Sequence, residues 1–258
     1  MRDNSMAGIA AALAVLTVAT AAPAQEAGRA CAVERATTGA RGQPTAEITT
    51  DQMEAAVAQV SRGVLIIDAR PYEEFAMGHV PGAVCVAPRS ASPTAQDTSD
   101  VGEIERLAKG VKNRTIVLYC DGLFCASSTR LASGLLAAGY TNVARYELGI
   151  PVWRALGHPT QAEAGAIRAT LERDRTAVVI DSRGSHVSGA VVGARHVPFA
   201  EVGKAKDDGR LPRDHNTRIF VAGKDAREAL AVAQEIARNA FSNVAFFAGS
   251  MDSLMAAR

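Results

Sequence analysis

The sequence is poor in aromatic residues and carries almost no excess charge. Aromatic side chains make up 5% of its 258 residues, with a single tryptophan, and 28 basic residues are balanced by 27 acidic ones. Nucleic acids and anionic membrane surfaces bind proteins through clustered lysine and arginine, and the sequence contains no such block. We therefore expect no nucleic-acid or membrane partner, and favour a small molecule or another protein.

Cysteines and long hydrophobic runs are also scarce. Four cysteines are too few to form the disulfide framework of a chain of this size. The longest mostly apolar stretch, residues 6–22, is too short and too rich in alanine to predict a membrane span.

The same apolar stretch has the features of an export signal. Arg2 precedes it, and the small residues 22–24 (APA) follow it. We predict a signal peptide over residues 1–24, an N-terminal arm over 25–48 and a periplasmic protein that has left the membrane after signal cleavage. A frayed N-terminal helix of a cytoplasmic protein stays open as the alternative.

The rest of the chain repeats itself. Residues 64–70 (VLIIDAR) return as 177–183 (AVVIDSR), and 82–86 (GAVCV) return as 193–197 (GARHV). A third segment follows in the same order, with residues 140–144 (YTNVA) returning as 241–245 (FSNVA). The repeat predicts two tandem domains, over residues 49–159 and 160–258, each of about 100 residues, which is an ordinary domain size.

Short apolar runs alternate with helical patterns in both copies, which predicts an α/β fold with a mainly parallel sheet flanked by helices in each domain. The predicted strands are 64–67, 83–86, 115–119 and 143–146, then 178–180, 196–198, 218–221 and 244–247. The predicted helices include 50–61, 101–109, a helix ending near 138, 162–173 and 226–239.

One position separates the two copies chemically. Residues 116–120 (IVLYC) align with 218–222 (RIFVA), so Cys120 in the first copy corresponds to Ala222 in the second. Functional sites of open α/β sheets lie beyond the carboxyl ends of the strands, where Cys120 is expected. Cys120 is therefore a candidate nucleophile, and only the first copy can use it.

Several motifs together resemble the rhodanese family of sulfurtransferases. They are residues 68–70 (DAR), 78–83 (GHVPGA), the strand that ends at Cys120, 148–153 (LGIPVW) and 157–159 (GHP). The likeness extends over roughly residues 50–258 as a tandem pair of rhodanese-like domains. The segment from Cys120 to Cys125 is similar to the active-site loop of an exported subgroup of the family that has a Cys-x4-Cys spacing.

The resemblance implies a sulfurtransferase that carries a sulfane sulfur as a persulfide on Cys120 and passes it to a nucleophilic acceptor. Its partners would be a small-molecule or protein sulfur donor and acceptor, with no metal and no cofactor. Backbone N–H groups of the loop and the following helix would surround the sulfur and favour its anionic form. The implied substrate-binding residues are Asp121, Gly122, Leu123, Phe124, Cys125, Ala126 and Arg130.

Cys125 leaves several interpretations open. It is a resolving or sulfur-relaying thiol, one half of a disulfide with Cys120, or, if the alignment shifts, the nucleophile itself. Two other functions stay open beside sulfur transfer: a thiol–disulfide redox protein that uses both cysteines, and a non-catalytic binding module that retains only the fold. Phosphatase chemistry is set aside because neither cysteine stands in a Cys-x5-Arg spacing.

Other conspicuous residues are predicted to be structural. His79 is expected to orient the turn before the second strand of the domain, and Trp153 to pack the last helix onto the core. Asp68, Arg70 and Glu74 are predicted to form a charge cluster below the site.

Overall fold

The computed structural model describes residues 45–87, 101–184 and 193–256. The predicted signal peptide and nearly all of the predicted arm lie outside these residues. So do the polar segment 88–100 and most of the turn in the second copy that corresponds to the GHVPGA motif.

Within these ranges the chain forms two five-stranded sheets, and every strand pair in them is parallel. The strands are β1 Ala46–Glu47, β2 Leu65–Asp68, β3 Val84–Cys85, β4 Ile116–Tyr119, β5 Val143–Tyr146, β6 Thr160–Ala162, β7 Val178–Asp181, β8 Ala194–His196, β9 Ile219–Gly223 and β10 Val244–Ser250. The first sheet has the order β1-β5-β4-β2-β3 and the second has the order β6-β10-β9-β7-β8.

The equivalent strand order supports the predicted duplication. Helices flank both sheets, as the α/β prediction requires. They are α1 Thr50–Val57, α2 Tyr72–Met77, α3 Val101–Ala108, α4 Ala126–Ala137, α5 Gly149–Ala155, α6 Ala164–Arg173, α7 Val202–Ala205, α8 Ala226–Arg238 and α9 Met251–Ala256, with 3₁₀ turns at Val60–Arg62 and Phe199–Glu201.

Both sheets are packed on two faces, which explains the uninterrupted apolar strands. All four residues of β2, β4 and β7 are buried, and separate clusters of buried residues cover the two faces of each sheet. A strand buried on both faces needs apolar side chains at successive positions rather than at alternate ones.

The boundaries of several elements differ from the sequence-based expectation, and the predicted strand 196–198 is β8, two residues earlier. The predicted helix 50–61 is α1 followed by a separate 3₁₀ turn. The predicted helix 162–173 begins only at Ala164, because Ala162 ends β6 and Glu163 is the N-cap residue. The first sheet begins at Ala46, inside the predicted arm, where β1 pairs with β5.

The two sheets are joined through backbone hydrogen bonds. The N–H of His79 donates to the carbonyl of Gln161 over 2.9 Å, and the N–H of Gln161 donates back over 2.8 Å. The N–H of Glu163 also donates to the carbonyl of Ala76. The GHVPGA turn of the first domain therefore pairs with the edge strand of the second.

Within the described ranges, no helix combines the length and the apolar character that crossing a bilayer requires.

Candidate active site

The candidate site is the loop between β4 and α4. Cys120 directly follows the last residue of β4, as predicted, and α4 begins at Ala126, so residues 120–125 connect strand to helix. Cys120 is 4% exposed, and its carbonyl accepts a hydrogen bond from the N–H of Ile150. Gly149 makes this approach possible, because a Cβ atom there would lie 2.3 Å from the same carbonyl oxygen.

Cys120 and Cys125 form a disulfide, with their Cα atoms 6.1 Å apart. Of the interpretations that the sequence left open for Cys125, the pairing with Cys120 is the one seen in the structure. Cys125 is the N-cap residue of α4, and its N–H donates to the carbonyl of Gly122 over 3.0 Å. An alignment that makes Cys125 the nucleophile would require a loop between Cys125 and the next helix. The helix instead begins directly after Cys125, and the loop follows Cys120.

The predicted substrate-binding residues lie on two sides of this loop. Asp121 faces a cavity between the two domains, where Gly122, with φ +110°, turns the chain. On the other side, Leu123 is 48% exposed and Phe124 is fully exposed. These two residues, with Cys125, Ala126 and Arg130, line a second cavity.

The cavity between the domains has a volume of about 500 Å³ and mixed charge. Asp121 Oδ1 lies 3.6 Å from Arg70 Nη1, and Glu74 Oε2 lies 3.8 Å from the same nitrogen. Burial, followed by the hydrogen bond with Asp121, raises the pKa of Glu74 to about 7. Arg154 and Arg218 bring further positive charge, one from each domain.

The second cavity, of about 410 Å³, brings Cys125 and Glu147 to the same space. Glu147 follows the last residue of β5, at the same carboxyl edge of the sheet as Cys120. Sequence reasoning missed Glu147, although the rule that located Cys120 also applies to it, since both residues directly follow a strand.

Below the loop, a buried network fixes the ends of β2 and β4. Arg70 donates from Nη2 to Asp68 Oδ2 over 2.7 Å, and the Tyr119 hydroxyl donates to the same carboxylate over 2.6 Å. The Tyr119 oxygen accepts from the N–H of Val80 over 3.0 Å. The predicted pairing of Asp68 and Arg70 is therefore confirmed, with Tyr119 as a member that the sequence did not indicate. Glu74, the third predicted member, borders the cavity between the domains.

His79 and Trp153 also have the predicted structural roles. The imidazole of His79 is 1% exposed, stacks on Phe75 and bonds the carbonyl of that residue through Nδ1 over 2.8 Å. Burial lowers the pKa of His79 to about 4. Trp153 is 3% exposed, and its indole N–H donates to the carbonyl of Pro159.

The corresponding place in the second domain is closed. Ala222 is fully buried inside β9, which continues to Gly223, and α8 begins at Ala226. A Cβ atom on Gly223 would lie 2.6 Å from Ser182 Oγ and 2.8 Å from Glu228 Oε2. Side chains therefore pack closely against the end of β9, while the Arg183–Asp181 ion pair repeats the pair at Arg70.

Comparison with known proteins agrees with the fold of the first domain. Residues 49–156 match the family model described as a rhodanese-like domain. An HTH-type transcriptional regulator of Mycobacterium tuberculosis is 33% identical over 101 residues, which cover 39% of this chain and 39% of that protein. The chain thus spans about two fifths of the length of the curated relative it matches.

Solved structures similar to the chain include two sulfur-transferring enzymes. A thiosulfate sulfurtransferase from Pseudomonas aeruginosa is 19% identical, with 80% of this chain and 42% of that chain covered and a TM-score of 0.31. A 3-mercaptopyruvate sulfotransferase from Escherichia coli is 16% identical, with 76% and 96% covered and a TM-score of 0.31. On the family match, the chain contains a rhodanese-like domain at residues 49–156.

Proposed function

We propose that this protein is a sulfurtransferase in which Cys120 takes a sulfane sulfur from a donor, holds it as a persulfide and passes it to a nucleophilic acceptor. The observation that carries the proposal is the position of Cys120. It stands at the carboxyl end of a central strand of the rhodanese-like domain, at the head of a short loop that runs into the N-terminus of α4.

This position suits a sulfur carrier on electrostatic grounds. The first N–H groups of a helix have no partners within the helix, and the helix dipole favours negative charge there. Both a thiolate and a persulfide are anions, and a lowered thiol pKa makes them available at neutral pH. The loop therefore has the elements that an anionic sulfur intermediate requires.

The disulfide sets a condition on this activity. A disulfide sulfur is not a nucleophile, so the loop must be reduced before Cys120 can attack a sulfane donor. We expect protein isolated without reductant to be inactive and to gain activity on reduction. Full activity alongside two free loop thiols would contradict this gating.

The disulfide also favours a second candidate function. A pair of cysteines that alternates between dithiol and disulfide can exchange electrons with a partner protein without carrying sulfur. Reduction of the loop by a thiol protein, in the absence of any sulfane adduct after treatment with donors, would favour this function.

Location is part of the proposal. The N-terminal pattern of Arg2, the apolar stretch and the small residues 22–24 supports export to the periplasm, where disulfides persist. Fusion of residues 1–30 to a reporter that is active only after export tests it, and retention of the reporter in the cytoplasm would contradict it.

The main test is mass spectrometry of the intact, reduced protein after treatment with thiosulfate or inorganic polysulfide. The wild-type protein should gain about 32 Da, the mass of one sulfur atom. Cys120→Ser should abolish the adduct, while Cys125→Ser, the matched control in the same loop, should retain it. An adduct that survives in Cys120→Ser but not in Cys125→Ser would assign the nucleophile to Cys125 and reject the proposed mechanism.

A further inference from the structure

Glu147 shares a cavity with Cys125, the more accessible cysteine of the candidate site. Cys125 is half-buried and lines the second cavity, whereas Cys120 is 4% exposed and does not line it. The Glu147 side chain, 12% exposed, borders the same cavity. Its Oε2 atom is buried and receives no hydrogen bond within the described residues.

The surroundings of Glu147 hold both signs of charge. Its Oε2 lies 3.6 Å from Nη2 of the fully buried Arg145, and the same nitrogen lies 3.3 Å from Oε1 of Glu47 on β1. Cys125 and Arg130 line the same cavity. Burial, followed by a hydrogen bond with Glu47, raises the pKa of Glu147 to about 7.

From this arrangement we infer that Cys125 is a resolving thiol, that Glu147 is its proton acceptor, and that the loop releases hydrosulfide when no acceptor takes the sulfur from Cys120. The inference rests on the proposed function, because it begins from the Cys120 persulfide. It adds a second outcome for the bound sulfur and a residue that controls it.

The step balances without any added oxidant. Cys125 gives its thiol proton to the Glu147 carboxylate, and its sulfur then bonds to Sγ of Cys120 while the S–S bond of the persulfide breaks. The outer sulfur of the anionic persulfide takes up this proton from Glu147 as it leaves with the bonding electron pair, so that hydrosulfide is released. The outer sulfur is thereby reduced and the Cys125 sulfur is oxidised, while Cys120 exchanges one S–S bond for another. The product is the loop as the structure shows it.

A proton acceptor matters here because a thiol attacks as its thiolate. An ordinary cysteine has a pKa of about 8.5, so it is mostly protonated at neutral pH. A carboxylate with a pKa of about 7 is a stronger base than an ordinary carboxylate and is still largely ionised just above neutrality. Cys125 at the N-cap of α4 also has the helix dipole to stabilise its negative charge.

The test follows one turnover of the full chain. Reduced protein is loaded with inorganic polysulfide, freed of excess reagent and sampled over time for intact mass and free sulfide. Wild-type protein should pass from the persulfide, about 32 Da above the reduced mass, to the disulfide, about 2 Da below it, with one sulfide released per chain. Cys125→Ser should keep its persulfide and release no sulfide.

Glu147→Gln provides the specific comparison. At pH 7.5 it should slow disulfide closure by about 10-fold to 100-fold. The difference should shrink as the pH rises above the thiol pKa, because solvent then removes the proton. The matched control is Glu172→Gln, an exposed carboxyl group on α6 of the second domain, which should close at the wild-type rate.

A second measurement does not depend on the folding of Glu147→Gln. In Cys120→Ser protein, the alkylation of Cys125 by iodoacetamide, located by peptide mapping, should show an inflection near pH 7. A profile with no inflection there, or equal closure rates for wild type and Glu147→Gln across pH, overturns the role of Glu147. A wild-type persulfide as long-lived as that of Cys125→Ser overturns the resolving step and leaves sulfur transfer intact, whereas failure to load Cys120 at all overturns both.

Discussion

At the scale of single residues, the loop depends on a glycine outside it. Gly149 has φ +64°, a region that favours glycine, and a Cβ there would lie 2.3 Å from the carbonyl oxygen of Cys120 and 2.5 Å from the N–H nitrogen of Gly122. Both contacts are to backbone, which cannot move without moving the disulfide loop. The first turn of α5 therefore sets where the candidate nucleophile stands.

Gly149→Ala should consequently damage both stability and the site. We expect a loss of about 3 kcal/mol in the free energy of unfolding, from combined strain and overlap, measured by urea denaturation. Loading of Cys120 should fall as well. The control is Gly110→Ala, which has φ +69° but open space around the added carbon, and should cost only about 1 kcal/mol with loading unchanged. If the two substitutions lower the free energy of unfolding equally, the close approach of Gly149 to Cys120 does not contribute to stability.

His79 gives a second prediction at this scale, on the dependence of stability on pH. Its pKa is about 4 in the folded chain and about 6.5 in the unfolded one, so the folded state binds fewer protons between these values. Stability should therefore fall as the pH drops from 6.5 to 4, by about 3 kcal/mol from this group.

The physical cause is the buried Nε2 atom. Nδ1 donates to the Phe75 carbonyl, and Nε2 is buried without a hydrogen-bond partner in the described chain, so protonation would place an unpaired charge there. His79→Gln should flatten the curve of unfolding free energy against pH in this window. The raised pKa values of Glu74 and Glu147 increase stability as the pH falls, which opposes the effect of His79. Both glutamates are present in wild type and in His79→Gln, so their effect cancels when the two curves are compared. An unchanged slope would contradict the assignment to His79.

At the scale of elements, the sequence was most informative for the central strands, whose residues are mostly apolar. The predicted 143–146 and the observed β5 coincide, and the ends of β2 and β4 differ from the prediction by one residue or none. Short edge elements were missed, among them β1 and β6, because two or three residues show no periodicity and their pairing depends on distant partners.

The same limit applies to the candidate site. The position of Cys120 follows from the apolar strand before it and from the family motif. Glu147 gains its role only when β5 lies beside β4, and Tyr119 only when β4 lies beside β2. No spacing in the sequence shows these non-local arrangements.

The short connection between β9 and α8 in the second domain, which corresponds to the 120–125 loop, gives the prediction at this scale. Only Lys224 and Asp225 separate β9 from α8, and Asp225 caps the helix by accepting from the N–H of Glu228. Ala222→Cys should therefore add a buried thiol that is inert to iodoacetamide in the folded protein and reactive after denaturation. In a background that lacks the other cysteines, we expect no sulfane adduct; efficient loading of that thiol would show that the shape of the 120–125 loop is not required.

At the scale of the whole molecule, the two domains share one strand edge. β6 pairs with β10 on one side, and on its free side Gln161 bonds His79 through both its N–H and its carbonyl. The Gln161 side chain also accepts from the N–H of Gly82 over 3.2 Å. The turn that precedes β3 of the first domain is thus fixed by the edge of the second sheet, and the cavity beside Asp121 lies between the two domains.

Gln161→Pro should weaken the pairing between the two domains without unfolding either sheet. Proline lacks the N–H that donates to His79, but that N–H points away from β10, so an edge strand tolerates the change. Relative to Gln161→Ala, we expect a loss of about 1 kcal/mol, the net value of the one backbone hydrogen bond, together with faster proteolysis between the domains. Gln161→Ala, which removes only the bond to Gly82 and keeps both backbone bonds, is the matched comparison. If the proline variant unfolds in one transition at the wild-type temperature and is cleaved no faster, the His79–Gln161 pairing does not hold the domains together.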